Sequence, residues 1–236
     1  MKVVLLTTET THHTYFAWQL SQHFPLRAII LETHSVIPPF DTFHPFEERR
    51  DVYERDFLLG ATSPMISDIA ETHSFESMNK AECVSTLQTF APDVVIVFGT
   101  GKLYSPVIEV ATVACLNLHG GNPEEYRGLD THLWAIYHRD FDNLVTTLHY
   151  VDSELDTGDI VFQAQLKLNK DNQLHELRLI NTQVCIDLTL LALNSLQVTG
   201  RLPTRRQLSR GRYYSFMPSV LKAECVKKFQ QHIAKL

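Results

Sequence analysis

The sequence predicts an α/β protein whose core is a doubly wound, mostly parallel β-sheet, followed by a short C-terminal extension. Short runs of leucine and β-branched residues alternate with segments of helical periodicity, which is the chain order of βαβ units. The runs are almost continuously apolar, as expected for strands that helices cover on both faces. Two more β-rich runs and a long apolar helical segment follow in the second half of the chain.

Each predicted element can be located on the printed sequence. Strands are predicted at 3–7, 27–33, 93–99 and 115–120 in the first half, and at 144–151 and 159–168 in the second half. Helices are predicted over 11–24, 46–60, 79–90 and 172–196, and near 219–235. The arginine-rich stretch 201–218 is predicted to be a loop between the last two helices.

The chain length fits one compact unit better than two full-sized domains. With 236 residues it is long enough to bury a substantial core. No repeat or low-complexity linker divides it. We expect a core over residues 1–170, with C-terminal helices and an extension, residues 171–236, packed on it.

The composition argues against several classes of protein. A formal net charge of -6 disfavours a dedicated nucleic-acid binder, which usually carries a basic face. The first apolar run is too short for a signal peptide or a membrane span, so we expect a cytoplasmic protein that does not bind membranes. Because the four cysteines are scattered and lack the spacing of a zinc site or a redox dithiol, no metal is expected.

Three loops carry the candidate functional residues, because ligands of open α/β sheets bind beyond the carboxyl ends of the strands. The loop 98–103 has two glycines that permit close approach of a flat ligand, but glycines are also typical of a plain turn. Asn117 and His119 project from the same face of a strand end, although a lone histidine there is more often a core residue. The acidic loop 152–159 is also consistent with a solvated turn.

Considered together, these loops resemble those of the formyltransferases that use N10-formyltetrahydrofolate. The resemblance rests on "NLH" at 117–119, "YRG" at 126–128 with "WAI" at 134–136, and "LDTGDI" at 155–160. It covers roughly residues 90–168, and the α/β order before them agrees. It implies a formyltransferase-like Rossmann-type fold for the catalytic core and N10-formyltetrahydrofolate as the formyl donor.

The resemblance also implies roles for individual residues. A catalytic trio falls on Asn117, His119 and Asp156. Arg127 is expected to pair with a phosphate of the acceptor. The donor is expected to lie against Phe98, Gly99, Thr100, Gly101, Leu103, Asp152, Ser153, Glu154 and Leu155, and the acceptor to enter past Asn122, Tyr126, Arg127 and Gly128.

The chemistry of formyl transfer explains why the trio would contain these residue types. When an amine attacks the formyl carbon, negative charge builds on the carbonyl oxygen, and a protonated His119 and the Asn117 amide can donate hydrogen bonds to it. Asp156 can hold His119 charged, and it can take or relay the proton that the amine loses. These roles require the three side chains to converge within hydrogen-bond reach.

One departure from the common family pattern bears on the acceptor. After His119 the chain reads "GGNPEE", at 120–125, where most members have a serine and a Leu-Pro pair. This variant fits members that act on small or sugar-linked amines, so we expect the acceptor to be a primary amine on a nucleotide-linked amino sugar. The alternatives are another small amine, hydrolysis of formyltetrahydrofolate, or a non-catalytic module that binds folate or a nucleotide. The expected partner is a small molecule rather than a nucleic acid, and the oligomeric state, a homodimer included, is left open.

Overall fold

The computed structural model describes residues 1–59 and 64–236 and contains a seven-stranded sheet with helices on both faces. The strands are β1 (Val3–Thr7), β2 (Leu26–Glu32), β3 (Thr72–Phe75), β4 (Val94–Phe98), β5 (Ala114–His119), β6 (Tyr126–Gly128), β7 (Val145–Tyr150), β8 (Ile160–Gln165) and β9 (Arg212–Tyr214). The sheet order is β3-β2-β1-β4-β5-β7-β8, and β6 pairs separately with β9. Neighbours from β3 to β5 are parallel, whereas β7 runs antiparallel to both β5 and β8. The predicted doubly wound, mostly parallel fold is confirmed.

Eight α-helices are found in the described part of the chain. They are α1 (Thr11–Ser21), α2 (Pro45–Glu54), α3 (Ile66–Ile69), α4 (Ala81–Phe90), α5 (Ser105–Ile108), α6 (Thr131–His138), α7 (Leu177–Thr199) and α8 (Ser219–Ile233). A π-helical turn, Arg55–Leu59, continues α2. The helix predicted over 46–60 therefore corresponds to α2 and this turn, and its last residue, Gly60, lies outside the described residues.

The two central strands explain why the sheet needs helices on both faces. Every residue of β1 and β4 is buried, because the alternating side chains of each strand pack into a different helical layer. Phe16 and Leu20 of α1 pack with α7 residues against one face of the sheet. Leu87 and Phe90 of α4 pack against the other face.

The C-terminal elements are bound closely to the rest of the molecule. Helix α7 is long and apolar enough to span a membrane by composition, but its Cys185, Ile186 and Leu193 belong to the main core cluster. Phe229 and Ile233 of α8 pack against Ala135 and Ile136 of α6 in a further cluster. The division of the chain near residue 170 stays a prediction.

Three short strands differ from the sequence-based expectation. The stretch 201–218, predicted as a loop, contains β9, and β6 and β3 fall between the predicted elements. Strand β3 reads "THSF" and lies at the edge of the sheet, where polar residues face water and no apolar run is required. Strands β6 and β9 have three residues each, which is too short for a periodic pattern.

Candidate active site

Parallel pairing brings the ends of the central strands to one edge of the sheet. Strand β1 is in register with β4, so that Thr7 pairs with Phe98, and the Thr7 hydroxyl donates to the Phe98 carbonyl oxygen at 2.7 Å. Strand β5 lies next to β4 and ends at His119. The loops that follow these three strands are therefore neighbours, although they are far apart in the sequence.

The three residues of the predicted catalytic trio lie together at this edge. The Nδ1 atom of His119 is 3.6 Å from Oδ2 of Asp156. The Nδ2 atom of Asn117 is 3.5 Å from the other carboxylate oxygen, Oδ1. His119 and Asp156 are both buried. The catalytic role of the trio stays a prediction, but its members occupy one site.

The surroundings of His119 favour its protonated form. Its Nε2 atom lies 2.8 Å from the carbonyl oxygen of Tyr126, which can only accept a hydrogen bond. Its Nδ1 atom faces the Asp156 carboxylate. Because both ring nitrogens face acceptors, the imidazolium form satisfies them better than either neutral tautomer. With Nε2–H donating to Tyr126, His119 contributes positive charge to the cavity rather than a free Nε2–H donor.

A second histidine, His149, contacts the same carboxylate and was not predicted from the sequence. In the antiparallel pairing of β5 with β7 it lies directly opposite Asn117. Its Nδ1–H donates to the Tyr150 carbonyl oxygen at 2.8 Å, which leaves Nε2 as an acceptor for the Asn117 amide at 3.1 Å. The same Nε2 is 3.6 Å from Oδ1 of Asp156. The signal available in the sequence was one histidine inside the apolar run "LVTTLHYV".

Asp156 is held in an unusual backbone conformation and stays ionised. Its φ angle of 55° is in the left-handed region, which aspartate tolerates better than most residues. The backbone N–H of Gly128 donates to Oδ2 at 2.9 Å. Burial alone would raise the pKa of Asp156, but the charge of His119, the contact with His149 and the Gly128 hydrogen bond lower it well below the ordinary value. The carboxylate is thus a fixed negative charge at neutral pH.

The trio opens onto a cavity of about 510 Å³. This volume lies within the usual range for sites that bind small molecules. Of the residues predicted to contact the donor, Ser153 is not among those that line the cavity. The others line it, namely Phe98, Gly99, Thr100, Gly101, Leu103, Asp152, Glu154 and Leu155.

The glycine-containing loop 98–103 is fixed by side chains from elsewhere in the fold. The Glu32 carboxylate accepts from the Gly101 N–H at 2.6 Å. Asn79 donates to the Lys102 carbonyl at 2.8 Å and accepts from the Tyr104 N–H at 2.8 Å. These contacts hold the loop without filling the cavity beside it.

Helices α1, α2 and α7 supply another part of the cavity lining, which sequence reasoning did not assign to the site. His12 and His13 line it, with His13 against Gly99, whose φ is +83° and where a Cβ would lie 2.4 Å from the imidazole. Burial, and then the charge of Arg178, lowers the pKa of His13 to about 3. Burial and the neighbouring His13 lower the pKa of His12 well below its usual value. Both histidines are therefore neutral at physiological pH.

Arg178 and Arg50 also line this part of the cavity, and both are paired with carboxylates. Arg178 forms two hydrogen bonds with the fully buried Glu54, at 2.6 and 2.5 Å, and one with Asp51 at 2.9 Å. Arg50 contacts Glu47 at 3.3 Å and Asp51 at 3.0 Å. The cations in this part of the lining are therefore largely neutralised.

The four predicted acceptor residues are placed differently from one another. Gly128 lines the cavity, whereas the Asn122 amide donates to Asn143 at 2.8 Å and the Tyr126 hydroxyl donates to Asp140 at 2.8 Å. Arg127 is buried, and its Nε atom has no hydrogen-bond partner among the residues that the structure describes. Asn122, Tyr126 and Arg127 do not line the cavity, and their acceptor role stays a prediction.

Known formyltransferases are similar to this chain in sequence. Methionyl-tRNA formyltransferase from Halothermothrix orenii is 29% identical over 142 residues, which is 60% of this chain and 44% of the relative. The same enzyme from Desulfotalea psychrophila is 32% identical over 108 residues, or 43% of this chain and 33% of the relative. The chain thus spans less than half the length of these curated relatives.

Solved structures with the same fold cover nearly the whole chain. A sugar N-formyltransferase from a Shewanella species has a TM-score of 0.61 at 16% identity, covering 91% of this chain and 77% of that one. A 4-N formyltransferase from Francisella tularensis has a TM-score of 0.60 at 13% identity, covering 91% and 76%. At these identities the likeness shows the fold.

The family itself is shown by a match to a family model rather than by the individual relatives. The model described as formyl transferase matches residues 51–180, which is more than half of the chain and includes Asn117, His119 and Asp156. The chain therefore belongs to the formyl transferase family.

Proposed function

We propose that the protein transfers a formyl group from N10-formyltetrahydrofolate to a primary amine on a nucleotide-linked amino sugar. The observation that carries this proposal is the convergence of Asn117, His119 and Asp156 on the wall of a single cavity. The two loops predicted to hold the donor line the same cavity. Such a cavity can hold a donor and an acceptor on either side of one set of polar groups.

The residues present fit a folate donor. Phe98, Leu103, Val151 and Leu155 supply apolar lining, and the glycine-containing loop exposes backbone groups beside them. This combination of apolar lining and backbone groups suits a flat ring with many hydrogen-bonding atoms. A formyltransferase from Anoxybacillus kamchatkensis with this fold (TM-score 0.53, 17% identity) was crystallised with tetrahydrofolate and a UDP-linked formamido sugar. When bound, the donor supplies an electrophilic formyl carbon.

The trio would act on charge and proton movement around that carbon. Asn117 presents an amide donor, and His119 presents a positive charge, to the oxygen on which negative charge develops. The buried Asp156 carboxylate stabilises the His119 imidazolium. Because the pKa of Asp156 is low, its carboxylate is a weak base. The proton lost by the amine would therefore not stay on Asp156 but pass on to His149 or to water.

The charge distribution supports an acceptor with a neutral, hydrogen-bonding part. The neutral His12 and His13 and the carboxylate-paired Arg178 suit hydroxyl or amine groups better than a free phosphate in that part of the cavity. A sugar ring has this chemistry.

The proposal is tested by following release of tetrahydrofolate with a panel of acceptors. The panel contains nucleotide-linked 3-amino and 4-amino sugars, the same amino sugars without nucleotide, initiator methionyl-tRNA, and no acceptor. We expect the nucleotide-linked sugars to give the highest kcat/KM, and Asp156→Asn to abolish most of that rate. A reaction that is efficient only with methionyl-tRNA or a free amine, or that needs no acceptor, would contradict the proposed acceptor.

A further inference from the structure

A segment outside the family match joins the two loops of the candidate site. We call residues 205–212 the clasp segment. It lies against loop 120–128, which follows His119, and against loop 151–159, which carries Asp156. The family match ends at residue 180, so this contact is made by a part of the chain that the match does not cover.

The first half of the contact centres on Glu124. Its carboxylate accepts two hydrogen bonds from the Arg205 guanidinium, at 2.9 and 2.7 Å, and one from the Leu208 N–H at 2.6 Å. The hydrogen bond from Arg205 lowers the pKa of Glu124. The Glu124 carbonyl also accepts from the Ser209 hydroxyl at 3.0 Å. A bidentate pair with these extra donors fixes the position of the segment on the loop.

The second half of the contact is made by Gln207. Its Nε2 amide donates to the carbonyl oxygens of Asp156 at 3.0 Å and of Gly158 at 2.9 Å. Because both partners are acceptors, only the NH₂ end of the side chain can occupy this position. The neighbouring Arg205 forms a reciprocal backbone pair with Ile160. The backbone of Asp156 is thereby held at its carbonyl, while Gly128 holds its carboxylate.

This arrangement matters because Asp156 adopts a left-handed backbone conformation. A residue with φ of 55° keeps that conformation only if its surroundings hold it there. The direction of the Asp156 carboxylate, and hence its 3.6 Å approach to His119, depends on that backbone. Movement of a catalytic group by about 1 Å can lower a rate by about 100-fold.

We propose that Gln207 is a positioning residue, which aims the Asp156 carboxylate at His119 and His149 through its two hydrogen bonds to the loop backbone. The proposal rests on the proposed function in so far as Asp156 serves formyl transfer. It extends that function to a segment that has no residue in the catalytic trio. Gln207 need not contact donor or acceptor.

The first test is Gln207→Met, which keeps the length of the side chain and removes both hydrogen bonds. We expect kcat to fall by about 10- to 100-fold, with the Kd for tetrahydrofolate changed by less than about threefold. In an Asp156→Asn background the same substitution should lower kcat by less than about threefold, because the carboxylate that it positions is gone. The neighbouring exposed Arg206→Met is the matched control and should leave kcat unchanged.

The second test does not depend on the acceptor. In protein labelled with ¹⁵N-histidine, Gln207→Met should shift the ring signals of His119 and His149 toward those of Asp156→Asn, and Arg206→Met should not. If Gln207→Met does not fold, Gln207→Asn gives the same comparison, because its side chain is one methylene shorter and its amide no longer reaches the two carbonyl oxygens. Unchanged ring signals in the Gln207 variant, or equal losses of kcat with and without the Asp156 carboxylate, would overturn the positioning role. If no panel member is formylated but the ring signals shift, the proposed function fails and the positioning role stands.

Discussion

Two pairs of histidines line the same cavity, and their surroundings differ in charge. His119 and His149 each lie 3.6 Å from the buried Asp156 carboxylate. The His12 and His13 rings lie 4.0 Å apart in a tilted arrangement, His13 meets the Phe98 ring edge-on, and burial lowers the pKa of both histidines. The first pair surrounds a fixed negative charge, whereas the second pair forms a neutral wall.

The difference between the two pairs lies in how the buried carboxylate beside each pair is satisfied. Glu54 is also buried, but Arg178 satisfies it with two hydrogen bonds, and His12 lies 3.9 Å away. Asp156 has no arginine or lysine within ion-pair distance among the described residues, so the His119 imidazolium is the cation placed to balance it. One cavity therefore has a wall that carries an ionised carboxylate and a wall of neutral histidines.

The largest expected effect comes from removing the Asp156 charge. Asp156→Asn keeps the shape and a hydrogen-bond acceptor but no longer stabilises an imidazolium, so we expect kcat to fall by about two to four orders of magnitude. Steady-state release of tetrahydrofolate measures it. Asp159→Asn, an exposed residue at the end of the same loop, is the matched control. A folded Asp156→Asn enzyme of near-normal rate would remove Asp156 from the mechanism.

A smaller loss is expected from His149, and it separates the two histidine pairs directly. His149→Gln removes the ring that accepts from Asn117 and faces Asp156, so we expect kcat to fall by about 10- to 100-fold. His13→Gln should chiefly raise KM rather than lower kcat, because His13 lies in the neutral wall. Comparison of kcat and KM for the two variants checks this. A lowered kcat in His13→Gln together with a raised KM in His149→Gln would contradict this assignment.

The neutral histidines should make folding stability depend on pH. Burial lowers the pKa of His132 to about 4 and that of His13 to about 3, so between these values and about 6.5 the unfolded chain binds more protons than the folded one. Stability therefore rises with pH in this window and is lost as the pH falls through it. Each such histidine should lower the free energy of unfolding by about 2 kcal/mol when the pH falls from 6.5 to 5.

Urea unfolding at the two pH values tests this dependence. His132→Gln keeps a donor for the Val145 carbonyl but cannot titrate. The loss of unfolding free energy between pH 6.5 and 5 should therefore be smaller in this variant, by about the amount expected for one histidine. The exposed His23→Gln should show the same loss as the unaltered protein. Equal losses in all three proteins would show that His132 is not held neutral. Asp156 adds little between pH 5 and 6.5, because its carboxyl is ionised there in the folded and in the unfolded chain alike.

The smallest expected effect concerns the support of the site rather than the site itself. The Tyr126 hydroxyl donates to Asp140, and its ring stacks on Tyr214 of β9. Tyr126→Phe should therefore cost about 1 kcal/mol of unfolding free energy, with little change in kcat. A large loss of kcat would instead favour the predicted contact between Tyr126 and the acceptor.

The strands and the trio were predictable because their signals are local. Buried strands such as β4 read as apolar runs, and Asn117, His119 and Asp156 occur in recognisable short motifs. His149, by contrast, joins the site only through its cross-strand pairing with Asn117. The contact of Gln207 with the Asp156 loop spans about fifty residues of sequence and leaves no periodic signal.

The most direct test of the account is the protonation of the cavity histidines, measured by ¹⁵N NMR of histidine-labelled protein between pH 6 and 7. If Asp156 sustains the charge on His119, the protonated fraction of His119 will fall in Asp156→Asn. His13 serves as an internal reference and will be neutral in both proteins, since its pKa is lowered to about 3. An identical protonated fraction of His119 with and without the carboxylate, or a protonated His13, would contradict the division of the cavity into a charged and a neutral wall.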